Sequence, residues 1–229
     1  MATPTREVEV VVENFARFLQ HRGARDVVVP PRAAEEVLTR GKCLVVAAAP
    51  AAPGEIVRAP GEFGGVRQFR AAVVAVVLRP DPDGKSPRAA VVRKALKAAH
   101  QRAPDAETFL LVKDYAPNDA IVKAVAASNA QRPTRVLQYK LFVTDFNRHA
   151  HVLAAPVRIV PPDVARAQLR FYRMAKNKLS VLHANDPAII WCGGELDDVA
   201  CISGNAINGS GHFNLARVGR VHQMEGARS

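Results

Sequence analysis

The chain has 229 residues and a mass of 24.7 kDa, which allows one good core or two small ones. With 48% hydrophobic and 23% charged residues it has the composition of a folded protein, which excludes a disordered tail. Lys and Arg number 32 against 21 Asp and Glu, a net charge of +11 that draws nucleic acid, anionic lipid or acidic protein surfaces, although a basic surface that only aids solubility has the same balance.

Cys43, Cys192 and Cys201 are too few and too irregularly spaced for a disulfide framework, and their odd number favours a reducing compartment. There is no run of roughly eighteen apolar residues, and the opening MATPTREVEVVVENF carries acids where a secretory leader needs a basic and then an apolar segment. No membrane span is expected, and the cytoplasm, the nucleus or a virion interior are the compartments left.

The first helix is read in EVEVVVENFARFLQHRG, where Val8, Val11, Val12, Phe15 and Leu19 recur three or four residues apart and Gly23 offers a left-handed stop. DVVVPPRAAEEVLTRG then predicts a short strand to Val29, two prolines opening a short helix, and Gly41 as its end. KCLVVAAA and FRAAVVAVVLR are strand candidates on either side of a Pro- and Gly-rich loop that breaks any helix. SPRAAVVRKALKAAHQR predicts a helix with Ser86 as N-cap, Pro87 at its first position, and Val91, Val92, Ala95, Leu96 and Ala99 facing inward. AETFLLVK reads as a strand, PNDAIVKAVAASN as a helix starting at Pro117, and TRVLQYKLFVTDF as a strand or extended connector. Crossover helices of this kind favour parallel pairing in at least part of the sheet.

Beyond Phe146 the pattern changes to short strands, HVL and VRIV, then a helix from about Asp163 to Arg173, then ACI and FNLARV as a hairpin around SGNAINGSG. The expected fold is therefore α+β, with an N-terminal α/β domain over residues 1–145 and a small mixed-sheet C-terminal domain over 146–229.

Several clusters invite a chemical reading, and each has a structural alternative. In LHANDPAII, Asn185 or Asp186 suits the cap of a helix whose first position is Pro187, with Ile189 and Ile190 buried and Gly193-Gly194 ending it. Asp197 and Asp198 resemble a magnesium pair, but neighbours on a strand face opposite ways and could share an ion only in a turn; the structural alternative is a turn that simply leads into Val199–Ile202. Cys192 and Cys201 with His149, His151, His183 and His212 match no zinc spacing. SGNAINGSGHF lacks the ending of a phosphate loop and has no helix behind it. No catalytic residue, metal, cofactor or small-molecule substrate is therefore expected.

The basic groups are more informative. Lys85, Arg88, Arg93, Lys94, Lys97 and Arg102 follow one another without an acid, and Arg93 and Lys97 lie one helical turn apart. Lys85, Arg88, Arg93, Lys94 and Lys97 are candidate contacts to duplex DNA phosphates. Arg166, Arg170 and Arg173 are expected on one face of a helix that buries Ala165, Leu169 and Tyr172. An ordinary solvated face is the alternative for both sets.

The segment HVLAAPVRIVPPDVARAQLRFYRMAKNKLSVLHANDPAIIWCGGELDDVACIS resembles the assembly domain shared by the fifth subunit of eukaryotic RNA polymerases and its archaeal counterpart. His151, Val152 and Leu153 match that family's opening strand, and Tyr172 its helix end. Leu179 and Leu182 match its apolar pair, Asp186-Pro187 its Asp-Pro, Asp198-Val199 its strand start, and Arg217 its terminal arginine. The chain departs from that family where its Pro and second His fall at Ala155 and Val157, its Leu-Pro at Leu179-Ser180, the Gly before its Asp at Asp197, its strand Arg near Ser203 or Gly204, and its final Tyr near Ala216. More faintly, ENFARFLQHRG resembles the family's opening helix, and APNDAIVKAV through VLQYKLFVTDFNRHAHV the segment joining its two domains.

The resemblance implies a non-catalytic structural subunit of a DNA-directed RNA polymerase. Its N-terminal domain would be jaw-like and lie by downstream DNA; its C-terminal assembly domain would bind the largest subunit and neighbouring subunits. On that basis the assembly surface comprises His151, Tyr172, Leu179, Asp186, Pro187, Asp198 and Arg217. Location would be the nucleus, or the virion or host cytoplasm for a subunit encoded by a large DNA virus, an origin that fits the Ala, Arg and Val bias. The alternative is a free-standing basic nucleic-acid-binding protein.

Overall fold

A computed structural model describes residues 4–60, 62–80, 87–113, 119–131, 133–146, 156–204 and 212–219. In chain order these form α1 (Pro4–His21), β1 (Arg25–Val28), α2 (Ala33–Arg40), β2 (Lys42–Ala48), β3 (Ile56–Val57), β4 (Val66–Arg67), β5 (Val73–Leu78), α3 (Ala89–Arg102), β6 (Glu107–Val112), α4 (Asp119–Gln131) and β7 (Thr134–Gln138). There follow β8 (Val157–Val160), α5 (Pro162–Phe171), β9 (Ser180–His183), α6 (Pro187–Cys192), β10 (Val199–Gly204) and β11 (His212–Gly219). The fold is α+β with two compact units, one of Met1–Gly54 and Phe69–Asp145, the other of Glu55–Gln68 and Phe146–Ser229. The Pro- and Gly-rich stretch that reads as a loop of the N-terminal half thus groups, from residue 55 onward, with the C-terminal residues.

The first unit is built on a sheet ordered β1-β2-β5-β6-β7. β1, β2 and β5 pair antiparallel, whereas β5, β6 and β7 run parallel, with α3 and α4 as the crossovers that parallel pairing needs. β5 and β6 are buried along their whole length, as strands covered on both faces must be. Val74, Val76, Leu78 and Leu110 pack against Val92, Leu96 and Ala99 of α3 and Ile121 of α4. On alternate residues Phe109 points the other way and meets Phe15 and Phe18 of α1, an aromatic cluster completed by Phe69 and Phe142.

The expected stripe of α1 is fully buried, and Gly23 and Gly41 stop α1 and α2 at φ 78° and 79°. Elsewhere details differ. Ser86 and Pro117 lie outside the described residues. α3 begins at Ala89 rather than Pro87, because the Arg88 carbonyl accepts the first helical amides, from Val91 and Val92. Val91 is exposed, since it falls one residue before the buried stripe. TRVLQYKLFVTDF is strand only to Gln138; Tyr139 then turns inward in a 3-10 turn, where its hydroxyl donates to the Leu78 carbonyl at the end of β5.

The second unit is a four-stranded mixed sheet ordered β8-β10-β11-β9. β10 and β11 form the expected antiparallel hairpin, Cys201 opposite Leu215, and β8 pairs antiparallel on the outer side of β10. β9 pairs parallel to β11 and has no counterpart among the expected strands. Its four residues, Ser180 to His183, show too little apolar alternation to stand out. Alternate strand residues feed opposite layers: Ile159, Ala200 and Val218 pack with Ile189 and Cys192 of α6, while Val160, Val199 and Cys201 pack with Ala165 of α5. The opening strand read in HVL lies outside the described residues.

Burial of Cys43 in β2, with the Glu36 charge nearby, pushes its thiol up to about 12, and burial also raises Tyr139. A raised folded-state pKa adds stability that is whole below the unfolded value near 9.0 and is lost as pH rises through the folded one. Urea denaturation is therefore expected to give constant stability to about pH 9 and then a fall on the order of 1 kcal/mol per pH unit toward pH 12. Cys43→Ala should flatten part of that fall; a stability independent of pH across this range would contradict the assignment.

Candidate functional site

Within the second unit, β3 and β4 form a small antiparallel pair docked on β8. Gly65 and Ile159 exchange both backbone hydrogen bonds at 2.8 Å. A Cβ on Gly65 would collide with the Val57 carbonyl, and one on Gly64 would lie 2.9 Å from the Cys201 sulfur, so both positions require glycine. Two residues on, Arg67 of β4 reaches Asp198 with a two-pronged ion pair, Nη1 to Oδ2 at 2.5 Å and Nη2 to Oδ1 at 2.9 Å. The same guanidinium donates to the Gly193 carbonyl at 3.3 Å and stands 3.4 Å from Glu195. Burial works against the Arg67 charge, but the hydrogen bonds and charge of Asp198, with Glu195 behind it, outweigh burial and raise its pKa. Asp198 also accepts the Glu195 amide at 2.7 Å, which closes the turn before β10.

Asp197 faces elsewhere. It sits at φ 71°, 2.7 Å from Lys176 and 3.7 Å from Arg217, and the Lys176 hydrogen bond with the two positive charges holds its carboxyl below the usual range. The two neighbouring acids precede β10 at a turn, as expected, and address different cations. Asp186 is the N-cap of α6: its Oδ1 accepts the Ala188 amide at 2.8 Å, and Pro187 occupies the first turn. Gly193 ends the helix at φ 73°, and the Gly194 amide closes it on the Ile189 carbonyl at 2.8 Å. Ile189 is buried as expected; Ile190, on the helix flank, is only half-buried.

The residues that the sequence groups as an assembly surface therefore divide. Leu179 is core, Asp186 and Pro187 start a helix, Asp198 clasps Arg67, and Arg217 flanks Asp197 from β11. His151 lies outside the described residues. Tyr172 is exposed, which corrects its expected burial: α5 stops at Phe171, and Arg173 turns the chain at φ 49° so that the Met174 amide meets the Leu169 carbonyl at 2.9 Å. That turn also removes Arg173 from the helix face expected to carry it with Arg166 and Arg170. It leaves Phe171 78%, Tyr172 53% and Met174 44% exposed, the two rings edge to face at 5.1 Å. This apolar lip lies in the chain between Leu169 and Lys176, both of which line a recess of about 200 Å³ with Pro162, Arg166 and Asp197.

In the first unit, Arg88, Arg93, Lys94 and Lys97 are exposed along α3, while Lys85 lies outside the described residues. All three cysteines are buried; Cys192 donates to the Val157 carbonyl, and burial raises Cys201. His149, like His151, lies outside the described residues, and among the described residues no three His, Cys, Asp or Glu side chains gather as metal ligands. No described helix is long and apolar enough to cross a membrane. Arg67, Phe171 and Met174 were not marked by the sequence reading. A lone arginine in a glycine-rich loop carries no signal, whereas aromatics just past a helix end did offer one.

No protein-family model and no curated protein matches the chain.

Arg67→Ala strands Asp198 without its cation in a largely buried site and is expected to cost about 3 kcal/mol. The Arg67→Ala, Asp198→Ala double variant should cost less than the sum of the singles, measured by thermal melting with hydrogen exchange at Gly65 and Ile159; additive losses would show that the two residues act separately. Asp186→Ala is expected to cost about 1 kcal/mol and Asp186→Ser to recover most of it.

Proposed function

We propose that this protein is a non-catalytic structural subunit of a multisubunit DNA-directed RNA polymerase. The C-terminal unit would dock on the largest subunit and its neighbours, and the N-terminal unit would serve as a jaw-like element beside downstream duplex DNA. The observation that carries the reading is the exposed Phe171, Tyr172 and Met174 lip. Adjacent exposed aromatics and a methionine are unfavourable in water and are typical of the centre of a protein interface. Tyr172 is also the residue through which the sequence resembles the assembly domain at its helix end. Asp186-Pro187 and Asp198-Val199, the other matched pairs, start a helix and a strand, roles suited to a docking scaffold.

Exposed cations on α3 support phosphate contacts of the kind that position a duplex without reading its sequence. They equally favour the second reading, a free-standing basic nucleic-acid-binding protein, whose affinity would fall steeply with salt. The nucleus follows from the polymerase reading for a cellular protein, and the virion or host cytoplasm for a viral one.

Affinity purification of the tagged chain from its native cells in high salt, followed by mass spectrometry, is expected to recover two very large polymerase subunits. Tyr172→Asp should lose them while melting at an unchanged temperature, because the side chain is exposed. Recovery of the chain alone, with nucleic acid released as salt rises, would establish the free binding protein instead.

A further inference from the structure

Arg93 and Lys97 differ from Arg88 and Lys94 in what lies beside them. Together with Leu96, His100 and Gln101 of α3 they form one wall of an open trough of about 340 Å³, whose other wall is Ala124, Ala127 and Ser128 of α4. The trough exists because alanines stand where larger residues would fill the gap between the helices. Ser128 closes the inner end; its hydroxyl meets His100 Nε2 at 3.1 Å and the Thr134 hydroxyl at 2.8 Å. No lining residue is acidic, and α3 carries no acid along its length. The outer face of α4 continues the apolar wall: Val122, Ala126 and Ala127 are exposed, with Lys123 among them.

A wall of cations facing a wall of small apolar side chains is complementary to a segment that carries carboxylates on one side and aliphatic groups on the other. A phosphate backbone would use the cations and leave the alanine wall wet; no lining residue is Phe, Tyr or Trp, and the His100 ring is tied to the Ser128 hydroxyl at 3.1 Å. We infer that the α3–α4 trough binds an acidic amphipathic segment of a partner protein, its carboxylates on Arg93 and Lys97 and its aliphatic side chains on Leu96, Ala124 and Ala127. Guanidinium and ammonium groups flanking an apolar strip set the register of such a segment, while the strip supplies contact area.

The test is fluorescence anisotropy of the full chain with a fluorescein-labelled peptide of repeating Glu-Leu-Glu-Ala, the same peptide with Gln for Glu, and a labelled DNA duplex. The acidic peptide is expected to bind, the Gln peptide to bind about tenfold more weakly, and Arg93→Glu with Lys97→Glu to weaken the acidic peptide about tenfold. Ala127→Trp, at an exposed position that fills the trough, should weaken the peptide and leave the duplex unaffected. Arg93→Gln with Lys97→Gln repeats the charge test without reversing sign. Tyr172→Asp should leave peptide binding unchanged, so this inference and the assembly reading fail separately. Peptide affinity unaffected by the charge and filling variants would overturn the inference. Displacement of peptide by duplex, with Ala127→Trp without effect on either, would assign the face to nucleic acid.

Discussion

The clasp between Arg67 and Asp198 is the constraint on which the C-terminal unit depends. A two-residue strand such as β4 has too few ladder bonds to hold itself in place, and β3 beside it is no longer. What fixes the pair is a planar guanidinium that fits a carboxylate, a carbonyl and a second acid at once, beside a glycine that lets backbone meet backbone on β8. A lysine in that place would offer one compact charge in place of a fork. Because Asp198 also ties the turn before β10, one ion pair sets the edge of the sheet and the start of its central hairpin together.

The two units solve the burial problem differently. In the first, β5 and β6 are apolar throughout and helices cover both faces, so stability rests on a large contiguous interior and a cluster of five phenylalanines. The second has smaller apolar clusters and relies more on polar joints: a capped helix, a two-pronged ion pair and a carboxylate between two cations. Its exposed aromatic lip contrasts with that economy. A small unit that leaves Phe171 and Tyr172 in water forgoes burial it has the residues to achieve, which is the physical ground of the proposal that a partner covers the lip.

Legibility followed the range of the interactions. α1, α2 and the core strands were readable because period, glycine stops and β-branched runs are local properties, and the cap at Asp186 because Asn-Asp-Pro is a local signal. β9 was hidden because it pairs with β11, far along the chain, and its own residues are half polar. The docking of residues 55–68 was hidden for the same reason: Gly64, Gly65 and Arg67 look like any loop until Ile159 and Asp198 are beside them. Tyr172 was assigned to the buried side by helical periodicity, which fails where the helix has already ended. Of the site, Asp186, Pro187, Asp198 and Tyr172 were legible as residues, whereas Arg67, Phe171 and Met174 were not, and neither was the division into inner and outer.

The excursion of residues 55–68 into the second unit has a consequence for how the chain comes off the ribosome. β3 and β4 are made long before β8 and β10, the strands that receive them, so the pair has only its own ladder while β5, α3, β6, α4 and β7 are synthesised. Pro60 and the three glycines of the stretch suit that delay, since they resist pairing with the wrong edge in the meantime. The first unit, in turn, must close its own chain across an opening at Gly54 and Phe69, which the Gly54 amide does by donating to the Phe69 carbonyl at 3.0 Å. Vectorial synthesis thus favours finishing the N-terminal sheet with this pair held ready, and β8 together with Asp198 is what retains it.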